Sequence, residues 1–138
     1  MVDPGVILKR AEQIEKHMER IRPFTSLSYD AFLKDSVIQD VVEYNLFQIV
    51  NHLIDILQHI VVDEEYGFPE TAYEAAQILL TKGILGQQEV EIFKQMVGFR
   101  NVVGHDYINI NKDIVYQILT HSEKDIRTLL TRVVSKFL

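Results

Sequence analysis

The sequence predicts an all-α protein, an antiparallel bundle of about five helices forming a single domain over residues 1–138. Three observations carry this. Apolar residues recur at intervals of three and four through most of the chain, the mark of helices with one buried stripe. Strict alternation never persists, and the short Val-Val pairs fall inside helical stripes, so no strand is expected. The breaks between stripes are short and punctuated by proline and glycine, as links between neighbouring helices are.

In the first element Ile7, Ala11, Ile14, Met18 and Ile21 are spaced four, three, four, three. Pro23 ends it, because the residue before a proline is pushed out of the helical region. Residues 24–30 read as a link, with Ser28 or Asp30 available to cap the next helix. The second helix is the longest, running through Ile38, Val42, Leu46, Ile49, Leu53, Ile56 and Ile60 until the acidic DEEYGFP run, Asp63 to Pro69, breaks it. A shorter helix over roughly 70–82 meets Gly83, placed where a left-handed residue closes a helix. Gly86 marks a second break. The fourth helix starts near Gln88 and runs through Val90, Phe93 and Val97, with Gly104 as its expected terminator. The loop DYININK leads to Asp113 as a cap, and the last helix carries Val115, Leu119, Ile126, Leu129, Val133 and Phe137.

Composition narrows the function classes. With no cysteine there can be no disulfide and no thiolate metal site, and a reducing cytoplasm is the expected home. The N-terminus carries charges early, unlike a signal peptide, and no window approaches the ~20 apolar residues of a membrane span. Net charge is −6, but it is uneven: residues 28–70 hold nine acids against Lys34 alone, a net of −8, leaving +2 on the rest. An RNA-binding surface near the C-terminal half is therefore allowed. No helix dense in Arg and Lys suggests sequence-specific DNA binding. There is no glycine-rich phosphate loop, since GILG at 83–86 reads as a turn, and no serine sits in a nucleophile elbow, so no cofactor is expected.

The chemistry concentrates in residues 99–110, FRNVVGHDYINI. Extending the stripe of Val90, Phe93 and Val97 puts Arg100 and then Gly104 at the next inward positions. A guanidinium thus stands where the pattern asks for a hydrophobe. Burying an unpaired charge costs several kcal/mol, so Arg100 faces either a structural carboxylate or an open groove that admits an anion. Asn101 and His105 share a face at i, i+4. In an unbroken helix Arg100 and His105 would sit about 140° apart. Bringing both to one phosphate requires a distortion near Gly104 or a second copy of the chain. His105 can exchange protons near neutrality, or simply cap a helix end.

Arg100-Asn101-x-x-x-His105-x-Tyr107, an R-x4-H-x-Y pattern at the end of a bundle helix, resembles the signature of the HEPN superfamily, and most closely its HepT-like toxins from prokaryotic toxin–antitoxin pairs. The likeness covers about 130 residues, including the long second helix with VVEYNLFQIVNHLIDILQHI. It implies a HEPN-like fold and a metal-independent ribonuclease, in which a ribose 2′-OH attacks the adjacent phosphate. Carried over, His105 is the acid/base, Arg100 the phosphate clamp, and Asn101 a positioning group. It further implies a homodimer with a cleft between protomers, and a cognate nucleotidyltransferase antitoxin that adenylylates Tyr107. Bulk and negative charge added there would block the cleft. Absent a partner, the bland reading of Tyr107 is a half-buried ring with its hydroxyl at the rim. Two other readings stay open. The same fold can serve, catalytically inert, as the substrate- or nucleotide-binding companion of a nucleotidyltransferase, or as a dimerisation protein with no site.

Outside the motif, Asn45, Gln48, His52, Asp55 and His59 form a polar stripe on helix two. A solvated or interface face explains it better than a metal site, although His52, Asp55 and His59 share helical spacing. His17, His121 and Asp106 are expected at the surface. Glu43 and Tyr44 could approach the motif, but the sequence does not place them. Tyr66, Phe68 and Tyr73 could stack on bases, but packing is the ordinary explanation.

Overall fold

The computed structural model describes residues 1–137, with Tyr107 described by its backbone alone. Among the described residues there are six α-helices and no strand: α1 Pro4–Ile21, α2 Tyr29–Leu33, α3 Ser36–Asp63, α4 Ala72–Thr81, α5 Gln87–His105 and α6 Lys112–Phe137. The sixth is α2, a short helix inside the stretch expected to be a link. Ser28 caps it, its hydroxyl accepting from the Ala31 amide at 3.1 Å. Five residues give too little periodicity to be read as a helix.

Local chemistry sets the helix ends. Asp3 accepts from the Gly5 amide at 2.9 Å, and Pro4 opens α1. A 3₁₀ turn at Arg22–Phe24 follows, where Pro23 stops the helix. Asp35 caps α3 by accepting from Val37 and Ile38 at 3.1 Å each. Thr71 caps α4, accepting from Glu74 at 3.1 Å, and Gly83 closes it in the left-handed region at φ +74°. The cap of α6 is Asn111, not Asp113: its side chain accepts from the Asp113 and Ile114 amides at 2.9 and 3.4 Å.

The 28-residue α3 is the central strut, about 42 Å long at 1.5 Å per residue. It buries Val42, Leu46, Ile49, Leu53, Ile56 and Ile60. α1 packs antiparallel along it, with Arg10 at the level of His52 and Asp55 and His17 at Asn45. α6 covers α1 through Ile126, Leu130 and Val134, and its start reaches α3, where Lys112 bonds Glu43. α5 runs antiparallel to α6, its first turn tied to α6 by Arg132 and Glu89 at 2.7 Å. The last turn of α5 therefore lies at the α2 end of the bundle, beside the first half of α3.

Candidate active site

α5 delivers the motif. Val90, Phe93 and Val97 are buried along one stripe, and Met96 and Phe99 are buried beside it. Arg100 continues the first stripe and is half-buried. Gly104, one turn on, lies against α3: a Cβ there would stand 3.9 Å from the Phe47 ring, ordinary contact. Gly104, expected from sequence to end the helix, is exposed and stays helical. α5 instead runs to His105, and the Asp106 amide donates to the Val102 carbonyl at 2.7 Å.

Of the two environments open to Arg100, the structure shows no carboxylate. Among the described residues Arg100 makes no ion pair, and its buried Nε has no hydrogen-bond partner. Arg10, Arg22, Arg127 and Arg132 each hold an acid. Among the described residues Arg100 is thus a half-buried cation without an ion-pair partner. Asn101 and His105 are exposed, and at helical spacing their side chains leave the axis about 40° apart. Because α5 is continuous, Arg100 and His105 diverge by about 140° within one chain.

Beyond His105 the chain turns sharply. Asp106 accepts twice from the Asn109 side chain at 3.0 Å, so this exposed acid shapes the turn. Tyr107–Asn109 form a 3₁₀ turn; the expectation placed on the Tyr107 hydroxyl falls outside the described residues. Ile110 is buried and anchors the turn. Ile108 beside it is 91% exposed.

An open groove of about 670 Å³ lies between α5 and α6 next to the motif, lined by Met96, Phe99, Val102, Ile110, Ile114 and Ile118 among others. Val102 follows His105 by about 60° around the helix. Around its exposed arc, the end of α5 presents Arg100, then Asn101, then His105, then the apolar groove.

Three residues of the polar stripe on α3, Asn45, His52 and Asp55, face α1. His17, expected at the surface, is 7% exposed; its alternative was invisible without knowing that Asn45 stands opposite. The Asn45 amide donates to the Val41 carbonyl at 2.7 Å, which leaves its oxygen to accept from His17 Nδ1 at 2.8 Å. His52 stacks on His17 at 5.9 Å between centroids, and Arg10 reaches its Nδ1 at 3.3 Å. Burial, with Arg10 and His17 adding to it, pushes the His52 pKa down. His59 pairs with Asp63 at 2.9 Å. Among the described residues no group of His, Cys, Asp or Glu is arranged to hold a metal ion. Among the described residues no helix is long and apolar enough to cross a membrane.

Sequence reading left Glu43 unplaced; it is fully buried and bonded to Lys112, the first residue after the motif turn. An acid interrupting the α3 apolar pattern was its one signal.

The model of the ribonuclease HepT-like family matches residues 14–133. The mRNA nuclease HepT of Shewanella oneidensis is 29% identical over 120 residues, covering 87% of this chain and 90% of that one. The tRNA nuclease HepT of Aphanizomenon flos-aquae is 27% identical over 119 residues, 86% of this chain and 81% of that one. The tri-AMPylated Shewanella oneidensis HEPN toxin, solved in complex with its MNT antitoxin, superposes with a TM-score of 0.85 at 27% identity, over 98% of this chain and 99% of that one. A toxin–antitoxin complex with AMP-PNP gives 0.83 at 27% identity, over 96% and 99% of the two chains.

Proposed function

This chain belongs to the ribonuclease HepT-like family, and we propose that it is the toxin ribonuclease of a toxin–antitoxin pair, acting without a metal as a homodimer on RNA. The observation that carries the reading is Arg100: a cation on a core-facing stripe, unpaired among the described residues, beside an exposed Asn101 and His105.

Cleavage then proceeds by transesterification. The neutral His105 imidazole takes the proton of a ribose 2′-OH as its oxygen attacks the adjacent phosphorus. The P–O5′ bond breaks, its oxygen takes the proton held by the His105 imidazolium, and the products are a 2′,3′-cyclic phosphate and a 5′-OH. The Arg100 guanidinium stabilises charge on the five-coordinate phosphorus, help commonly worth ~3–4 kcal/mol in a barrier. Asn101 positions substrate or the imidazole.

Within one protomer the two groups leave the helix about 140° apart, which disfavours aiming both at one phosphate. A two-fold dimer removes the problem by setting Arg100 of one copy opposite His105 of the other. The apolar groove bordering Val102 supports such packing, since a partner seated there would wall His105 into a cleft. Tyr107 is the modification site in this reading. Its hydroxyl attacks the α-phosphate of ATP on the cognate nucleotidyltransferase antitoxin, and pyrophosphate leaves. The related toxin in its MNT complex is tri-AMPylated. The adenylyl group adds negative charge where RNA must bind.

The test is cleavage of RNA by purified protein in excess EDTA, with Arg100→Ala and His105→Ala alongside. Cleavage that survives EDTA, ends in a cyclic phosphate and disappears in both variants is the expected result. An intact wild-type protein that cleaves no RNA supports instead the inert companion of a nucleotidyltransferase.

A further inference from the structure

One buried charge lies outside the motif and is unexplained by the fold. Glu43 is 0% exposed, in the first half of α3. One oxygen accepts from Lys112; the other, also buried, has no hydrogen-bond partner among the described residues. A buried ion pair of this kind is seldom kept for stability, because a hydrophobic side chain of similar volume commonly serves the fold as well. An incompletely satisfied carboxylate is a poorer choice still.

Its partner identifies what it does. Lys112 opens α6 directly after residues 106–111. That segment is bound internally by Asp106 and Asn109, rooted by Ile110 and capped by Asn111. The Glu43–Lys112 pair adds a long-range tie from its C-terminal end to the central helix. We propose that Glu43 is a positioning residue for the active site: through Lys112 it clamps the 106–111 turn, and so fixes His105 and the Tyr107 backbone relative to Arg100. The proposal rests on the ribonuclease reading for its catalytic consequence. A misplacement of about 1 Å at such a site commonly costs about 100-fold in rate.

The two partners are asymmetric, which makes the role measurable. Lys112 is one-third exposed, so removing Glu43 leaves an ammonium that water can reach. Removing Lys112 leaves a carboxylate stranded in the core and unfolds the protein for reasons unrelated to catalysis. The informative variants are therefore Glu43→Met and Glu43→Gln, in the full-length dimer. Turnover of a single-stranded RNA oligonucleotide, melting temperature and amide hydrogen exchange are read together. Glu43→Met keeps the wild-type melting temperature, while kcat falls about 10- to 100-fold with KM changed less than about threefold. Exchange across residues 106–111 rises about tenfold without a matching rise in α3. Glu43→Gln, which still accepts from Lys112, retains kcat within about threefold of wild type.

Wild-type kcat in Glu43→Met overturns the proposal. So does a kcat loss that only follows a fallen melting temperature, or unchanged exchange at 106–111. If the wild type cleaves no RNA, the ribonuclease reading fails, and the exchange data still decide whether the clamp exists.

Discussion

Replacing Arg100 by alanine separates catalysis from folding. Ordinarily, deleting a half-buried arginine removes ion pairs and packing together. Here, among the described residues, there is no ion pair to remove, and the buried Nε is a donor without an acceptor. Losing the partly buried alkyl stem costs about 1 kcal/mol. Removing an unsatisfied buried donor returns about 1–3 kcal/mol. The two roughly cancel, and for a domain this size 1 kcal/mol corresponds to about 2–8 °C. Arg100→Ala should therefore melt within about 5 °C of wild type. Loss of a preorganised charge on the developing phosphorane should lower kcat by about 100- to 1,000-fold. Arg100→Lys keeps the charge without the planar fork, and should recover only part of that loss. The assay is gel-resolved cleavage of a labelled RNA with calorimetry on the same preparations. A fall of more than about 10 °C, with activity following the folded fraction, would refute the reasoning and make Arg100 structural.

Other outcomes rest on the same geometry. His105→Gln should reduce cleavage about 100-fold or more with an unchanged melting temperature, because His105 is exposed and ends its helix; a coupled loss of stability would mark it as a cap. Tyr107→Phe should retain cleavage yet gain no mass on incubation with the antitoxin and ATP; an adenylyl increment on this variant would move the modification elsewhere. Acid should loosen the α1–α3 seam. The folded-state pKa of His52 lies below its ordinary 6.5, so its contribution is intact above pH 6.5 and is lost as pH falls through the folded value. Between pH 7.5 and 5.5 (buffer choices, about one unit either side of 6.5) wild type should lose more thermal stability than His52→Gln; equal losses would show the seam does not titrate.

Stripes of three and four made most helices legible, because a buried face repeats with the helix period wherever the core is continuous. α2 escaped since five residues cannot show a period. Gly104 misled because a glycine is also tolerated inside a helix, at about 1 kcal/mol relative to alanine, and here it stands one residue before the helix ends at His105. The motif was legible because Arg100 broke a strong apolar stripe. That it is unpaired was not, since pairing depends on what α3 and α6 bring alongside. Likewise His17 read as surface among charged neighbours, while its burial depends on Asn45, which lies 28 positions away in sequence. Long-range polar partners leave no local trace, and Glu43 with Lys112 is the same case.

The claim on which the site depends is that each phosphodiester meets Arg100 from one protomer and His105 from its partner. Mixing denatured Arg100→Ala and His105→Ala chains, then refolding them together, tests it directly. Each inactive alone, they should regain about a quarter of wild-type turnover, because about half of the dimers are mixed and each holds one intact site. Mixed dimers as inactive as their parents would place both groups in a single protomer and contradict the shared cleft.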